Sequence, residues 1–170
     1  GLGAGEPDFD TPDHIKKAAI KAIENGQTKY TAVDGTPALK EAISKKFFKD
    51  NSIKYNLDEI IVSVGGKQVL YNALLSSINP GDEVIIPAPY WVSYPDMVAL
   101  SGGVPVIVEG TEKNNFKIKP EDIKTKITNK TKWIIINSPS NPTGSSYSKE
   151  ELISIGNLLL SYKDLFIMSD

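Results

Sequence analysis

The sequence predicts an α/β fold in which a mainly parallel β-sheet is covered by helices on both faces. Three observations lead there. Short runs of β-branched and aliphatic residues recur along the chain without the alternation of a half-exposed strand. Helical apolar spacing fills the intervals between them, and glycine, proline and asparagine punctuate the joints.

The first third is expected to be helical. Thr11-Pro12-Asp13 is a helix start, and Ile15, Ala18, Ala19, Ala22 and Ile23 follow at helical spacing until Gly26 stops the run. Thr36-Pro37 repeats the start signal ahead of Leu39, Ala42, Ile43 and Phe47, after a loop containing Tyr30 and Asp34-Gly35. A β-rich run over 60–64 is then expected as a strand, with a helix after Lys67 through Ile78. Next come strands at 84–86 and 104–108 flanking a helix near Tyr94 to Leu100. A short helix after Pro120, a strand over 133–137, a helix over 150–160 and a strand over 166–168 complete the order. In such a sheet ligands bind at the carboxyl ends of the strands. That is where Gly65-Gly66-Lys67, Pro89-Tyr90-Trp91, Asn141 and Asp170 fall.

Composition narrows the chemistry. The 170 residues are 40% apolar, which suits one domain with a sizeable core. The 19 basic and 21 acidic residues are scattered, so no nucleic-acid footprint is expected. Lys45, Lys46 and Lys49 form a solvent-facing helix surface. Cysteine is absent, which excludes disulfides and thiolate chemistry. His14 is the only histidine, which excludes a metal site or a catalytic relay built on several, and it receives no role. No stretch approaches the roughly 20 apolar residues needed to span a bilayer. The first residues lack a signal-peptide pattern, so a cytoplasmic location is expected. Asn129-Lys130-Thr131 is expected to be a turn rather than a glycosylation site.

Each candidate residue has a competing structural role. Gly65-Gly66-Lys67 places glycine and free N–H groups at a helix start, which suits a phosphate but also a plain tight turn. It is not a nucleotide-triphosphate loop, because Ile61 stands where the first glycine belongs and Gln68 where Ser or Thr would hold magnesium. Trp91, stiffened by Pro87 and Pro89, either stacks on a flat ring or packs in the core. Asn141 in Ser-Pro-Ser-Asn-Pro-Thr-Gly either faces a cleft or belongs to a turn. Asp170 ends an apolar strand, where a carboxylate needs a partner to offset desolvation or serves as a helix cap.

Together, Gly-Glu-Pro-Asp-Phe at 5–9, Thr-Lys-Tyr at 28–30, Gly-Gly-Lys at 65–67, Pro-Tyr-Trp-Val-Ser-Tyr-Pro at 89–95 and Asn-Pro-Thr-Gly at 141–144 resemble the class I aminotransferases. The similarity spans essentially the whole chain and points to the bacterial aspartate aminotransferases, some of which also transaminate prephenate. The resemblance implies the large domain of a fold-type I transferase that depends on pyridoxal 5'-phosphate (PLP). Residues 1–170 would be part of that domain, with a substrate-loop segment at about 1–12, and the rest of the large domain and the small domain would lie beyond this chain.

It also implies roles. Gly66 and Lys67 would hold the cofactor phosphate, Trp91 would stack on its ring, Asn141 would bond its phenolic oxygen, and Asp170 would pair with its ring nitrogen. Tyr30 would reach the phosphate of a neighbouring subunit, implying a homodimer with shared active sites. Gly5, Trp91, Asn141 and Lys67 would contact the substrate, Lys67 through the distal carboxylate of aspartate or glutamate. In the family the catalytic lysine and the arginine that clamps the substrate lie beyond the position of Asp170, so the chain is expected to be an inactive fragment of its parent enzyme. The partners implied are an amino acid and a 2-oxo acid such as 2-oxoglutarate, with no nucleic acid, membrane or metal. A PLP-dependent lyase or synthase of the same fold, and a short product that binds cofactor or partner without catalysis, are the alternatives.

Overall fold

The computed structural model describes residues 5–170. Residues 1–4 of the expected substrate-loop segment lie outside the described residues. The chain divides into two compact units, Gly1–Val62 and Ser63–Asp170.

The first unit holds helices α1 (Asp13–Glu24) and α2 (Pro37–Asn51). Pro12, not Thr11, caps α1, and no side chain bonds its first turn. The predicted apolar stripe forms, yet Ile15, Ile20 and Ile23 are exposed and α1 buries no residue. α2 starts as expected: Thr36 Oγ1 accepts the Leu39 N–H at 3.4 Å and Pro37 occupies the first turn, where no N–H is needed. The loop before it is pinned. Buried Lys40 pairs with Asp34, whose carboxyl is held below the ordinary carboxylate range by that hydrogen bond. The Val62 N–H donates to the Asp34 carbonyl at 3.0 Å. At Gly35 a Cβ would lie 2.6 Å from Val62 Cγ2 and φ is +105°, so only glycine fits.

The strand predicted over 60–64 is not formed. Leu57–Glu59 makes one 3-10 turn, and the following residues run without a ladder partner, Ile61 and Val64 being 75% and 87% exposed. β-branched residues suit a pleated surface, but a strand exists only where a neighbour supplies its hydrogen bonds. None does so among the described residues.

In the second unit α3 (Gly65–Ser77) begins at Gly65, three residues before the expected start after Lys67. Strands β1 (Glu83–Ala88), β2 (Val104–Glu109), β3 (Thr131–Ile136) and β4 (Phe166–Ser169) alternate with α4 (Ser93–Leu100), α5 (Pro120–Lys124) and α6 (Lys149–Leu159). They form one parallel sheet of order β2-β1-β3-β4. The period-two alternation of strand side chains divides the core into two layers. Val84, Ile86, Ile135 and Met168 pack under α3 and α4 against Leu70, Leu74, Met97 and Val98. Ile85, Ile134 and Ile136 pack on the opposite face against Ile123, Ile155 and Leu159 of α5 and α6. Each fully buried aliphatic side chain contributes about 1.5–3 kcal/mol, which is why the strands are apolar on both sides.

The loop after β2 is fastened to α6. Lys117 Nζ lies 2.6 and 2.8 Å from the Glu151 carboxylate oxygens, and this ammonium holds the Glu151 carboxyl below its usual range. Ser148 and Glu151 also form a reciprocal cap on α6, with bonds of 3.2 and 2.7 Å. Because β2 lies on one side of β1 and β3 on the other, the connections reverse direction between β1 and β3. A crevice therefore opens at the carboxyl ends of those two strands, the usual ligand position in such sheets.

Candidate functional site

The chain leaves β1 through Pro89-Tyr90-Trp91, leaves β3 through Asn137 to Asn141, and reaches Asp170 directly after β4. All three exits are at the same end of the parallel sheet. A cavity there is lined by Pro87, Pro89, Tyr94, Asn137, Ser140 and Tyr147, among others. Trp91, Asn141 and Asp170 do not line it, and are joined to its walls through Tyr94 and Asn137.

A continuous series of contacts runs through these exits. Lys67 Nζ lies 4.9 Å from the centroid of the Trp91 ring, within cation–π range. The half-buried Trp91 ring meets the Tyr94 ring edge-on at 5.4 Å and 84°. Tyr94, in the first turn of α4 and only 2% exposed, donates its hydroxyl to Asp170 Oδ2. Burial, reinforced by the adjacent Asp170 carboxylate, pushes the Tyr94 phenol well above its ordinary value, so it remains a donor throughout the physiological range.

Asp170 is also fixed by its backbone. Its N–H donates to the Ile136 carbonyl at 3.0 Å, and its carbonyl accepts from Ser138 N–H at 3.3 Å and Asn137 Nδ2 at 3.1 Å. Its Oδ1 has no hydrogen-bond partner among the described residues. Asn137 Oδ1 accepts the Asn141 N–H at 2.7 Å. The turn bearing Asn141 is closed by Gly144 N–H to the Ser140 carbonyl at 2.7 Å and Ser140 N–H to the Ser145 carbonyl at 2.8 Å. The Asn141 side chain itself is exposed.

At the α3 start, Gln68 Oε1 turns back to accept the Val64 N–H at 2.8 Å and the Ser63 hydroxyl at 2.9 Å. The N–H groups of Gly66 and Lys67 have no acceptor among the described residues. Gly65 has φ +76°, and a Cβ built on Gly65 or Gly66 would meet nothing within 4 Å. The helix start is therefore open to an approaching anion.

The structure thus brings Lys67, Trp91, Asp170 and Asn141 into one connected set, with Gly66 adjoining Lys67 in the same helical turn. Tyr30 and Gly5 belong to the first unit; Tyr30 is fully exposed and Gly5 has open space where a side chain would be. Two members of the set were not foreseen from the sequence. Tyr94 stands three residues after Trp91, and Asn137 is a polar residue closing an otherwise isoleucine-rich strand; these were the available signals. Among the described residues no cluster of His, Cys, Asp and Glu is placed to hold a metal ion. Among the described residues no helix is long and apolar enough to cross a membrane.

The donor set fits a flat, anionic, nitrogen-containing ring. It offers unpaired N–H groups for a phosphate, an aromatic plane, an unpartnered carboxylate oxygen for a protonated ring nitrogen, and an exposed amide for an oxygen substituent. The family model described as "Aminotransferase class I and II" matches residues 1–170. The chain is 64% identical to a probable aspartate/prephenate aminotransferase of Rickettsia conorii over 169 residues, covering 99% of this chain and 42% of that protein. It is 59% identical to the aspartate/prephenate aminotransferase of Cereibacter sphaeroides over 170 residues, covering 100% and 42%. Among solved structures, the aspartate aminotransferase from Rhizobium meliloti superposes with a TM-score of 0.97 at 49% identity, covering 99% of this chain and 42% of that one. The aspartate aminotransferase from Thermus thermophilus with maleate gives 0.96 at 47%, covering 99% and 44%. The chain spans about 42% of the length of the curated relatives it matches.

Proposed function

Because the chain belongs to the class I and II aminotransferase family, we propose that its protein moves the amino group of aspartate or glutamate to a 2-oxo acid such as 2-oxoglutarate, with prephenate as a further acceptor. The connected set Lys67–Trp91–Tyr94–Asp170–Asn137–Asn141 at the strand ends carries this reading. PLP, the cofactor of this family, supplies when bound a protonated pyridine ring that draws electrons from the substrate Cα.

The chain's own residues divide the remaining work. Gly66 and Lys67 offer backbone N–H groups to the phosphate. Trp91 presents its plane to the ring, and Asn141 offers its side-chain amide to the phenolic oxygen and to the substrate α-carboxylate. Asp170 keeps Oδ1 for the ring nitrogen while Tyr94 occupies Oδ2. The Lys67 ammonium suits the distal carboxylate of a dicarboxylic substrate, and the Thermus relative was solved with a dicarboxylate, maleate. In this reading Gly5 offers its backbone to the α-carboxylate. Tyr30 serves the phosphate of a second copy in a cytoplasmic homodimer, which its full exposure favours. Residues 1–170 then form part of the large domain, with about 1–12 as the substrate loop.

Neither Lys67 nor Lys132 is proposed as the covalent anchor. Lys67 serves the substrate and phosphate, while Lys132 lies at the amino end of β3 with its Nζ 5.1 Å from the Phe166 ring, at the opposite end of the sheet from the site. Borohydride trapping of PLP on the full-length protein, followed by peptide mapping, is expected to find the cofactor on a lysine outside residues 1–170. Stoichiometric trapping on one lysine inside them would overturn the assignment. Amino transfer from aspartate that requires the 2-oxo acid supports the reaction class. Release of ammonia without an acceptor would indicate a lyase, and cofactor binding without turnover a noncatalytic product.

Tyr94→Phe tests the hydroxyl on Asp170. A hydrogen bond to a charged group contributes about 1.5–3 kcal/mol, so kcat/KM is expected to fall by roughly tenfold or more. Because the folded tyrosine ionises above its ordinary value near 10, its stabilising contribution is full below pH 10 and is lost as pH rises through the folded value. The thermal stability of the parent should therefore fall above about pH 10 in a way that Tyr94→Phe does not share; identical alkaline profiles would show that the phenol does not titrate on unfolding.

A further inference from the structure

We infer that Asn137 is a positioning residue that locks the Asn141 turn to the Asp170 strand end, so that two polar groups from different loops face one ligand in fixed register. The inference rests on the aminotransferase reading and adds to it a residue with no direct ligand contact. Asn141 and Asp170 are 29 residues apart in sequence and sit on separate connections, one after β3 and one after β4. The backbone ties these connections only at Ser138, whose N–H donates to the Asp170 carbonyl at 3.3 Å; among the described residues Asn141, three residues further on, makes no backbone hydrogen bond to Asp170.

The Asn137 amide solves this with both of its ends. Its oxygen accepts the Asn141 N–H at 2.7 Å and its nitrogen donates to the Asp170 carbonyl at 3.1 Å. The two neighbours also fix which way the amide lies: an N–H needs the oxygen, and a carbonyl needs the NH2. A flipped amide would set donor against donor and acceptor against acceptor. Position 137 is suited to this because it is the first residue beyond the buried Ile134-Ile135-Ile136 run, so its backbone is held by the sheet while its half-buried side chain lies between the two loops. Aspartate there keeps an acceptor but loses the donor, and leucine loses both.

A lock of this kind acts on the cofactor only through Asn141 and Asp170. Its removal should therefore share the effect of removing the Asn141 amide, and the two together should amount to less than their sum. The experiment uses the full-length holoenzyme reconstituted with PLP and compares Asn137→Ala, Asn141→Ala and the double variant. Two quantities are read: the PLP dissociation constant, and the pH midpoint of the visible absorption of the bound cofactor. Asn137→Ala is expected to weaken PLP by about tenfold, the scale of a lost hydrogen bond to the site. It should also move the absorption midpoint in the same direction as Asn141→Ala, with the double variant moving by less than the sum of the two.

An Asn137→Ala protein with lower thermal stability but unchanged affinity and midpoint would reduce Asn137 to a purely structural residue and overturn the inference, as would fully additive effects. If Asn137→Ala does not fold, Asn137→Ser replaces it. A single hydroxyl cannot reach both loops at once, so the same shift at smaller amplitude is expected, and no shift in a folded Asn137→Ser overturns the inference. Absence of any PLP-dependent absorption in the unaltered protein would instead remove the aminotransferase reading, a result separable from every outcome above.

Discussion

Replacing Asp170 by alanine is expected to lower kcat/KM for amino transfer by about 10²- to 10³-fold in the full-length enzyme. Removing one partner of a desolvated charge pair costs about 3–5 kcal/mol, and each 1.4 kcal/mol is a factor of ten. In the proposed site Asp170 has one oxygen held by the buried Tyr94 hydroxyl and one left for the ring nitrogen, so its loss removes the charge that favours a protonated ring. The same change strands the Tyr94 hydroxyl, which should destabilise the fold by about 1–3 kcal/mol. Asp170→Asn separates the two effects. An asparagine oxygen can still accept from Tyr94, so stability should stay near the parent while activity falls almost as far as in the alanine variant. Activity of Asp170→Asn within tenfold of the parent would mean that the carboxylate charge is not used.

Gly110→Ala is expected to be the most destabilising single-methyl change in the sheet region, by about 3 kcal/mol or more. A Cβ at Gly110 would lie 2.3 Å from the Phe116 carbonyl oxygen, 2.5 Å from its carbon and 3.0 Å from the Ala88 carbonyl oxygen. All three are backbone atoms, so no side chain can swing away. The loop has little freedom to yield: the Gly110 N–H donates to Ala88 at 2.7 Å, Phe116 N–H donates to Thr111 at 2.8 Å, and Lys117 is tied to Glu151. The strain would fall on Ala88, the residue before the Pro89-Tyr90-Trp91 exit, so weaker PLP binding should accompany the fall in thermal midpoint. A midpoint within about 2 °C of the parent, corresponding to under about 1 kcal/mol, would show that the loop relaxes freely.

The outline of the second unit was legible because the central strands β1 and β3 bury both faces and the helices bury one. Ile134-Ile135-Ile136 and Val84-Ile85-Ile86 read as buried strands, and the apolar spacing of α3 and α6 reads as helix, before any contact is known. The run over 60–64 has the same composition and is not a strand, because composition reports suitability for a sheet and not the presence of a ladder partner. The stripe on α1 is a second case: its periodicity gave the helix correctly but not the burial, since Ile15 and Ile23 of that stripe remain exposed.

The candidate site divides in the same way. Gly66, Lys67, Trp91, Asn141 and Asp170 could be chosen from the sequence, because glycine at a helix start and polar or aromatic groups at strand ends are local signals set by neighbouring residues. Tyr94 and Asn137 could not, because what each does depends on a residue 76 or 33 positions away, Asp170 in both cases. By itself the sequence determined the order of helices and strands in the second unit and the family to which the chain belongs, since helix starts, turn residues and apolar periodicity are short-range properties of the chain. Only the tertiary structure decided which strands lie side by side, which carboxylate oxygen is already taken, and which amide ties two loops together, because hydrogen bonds and packing act between atoms that meet only after the chain has closed on itself.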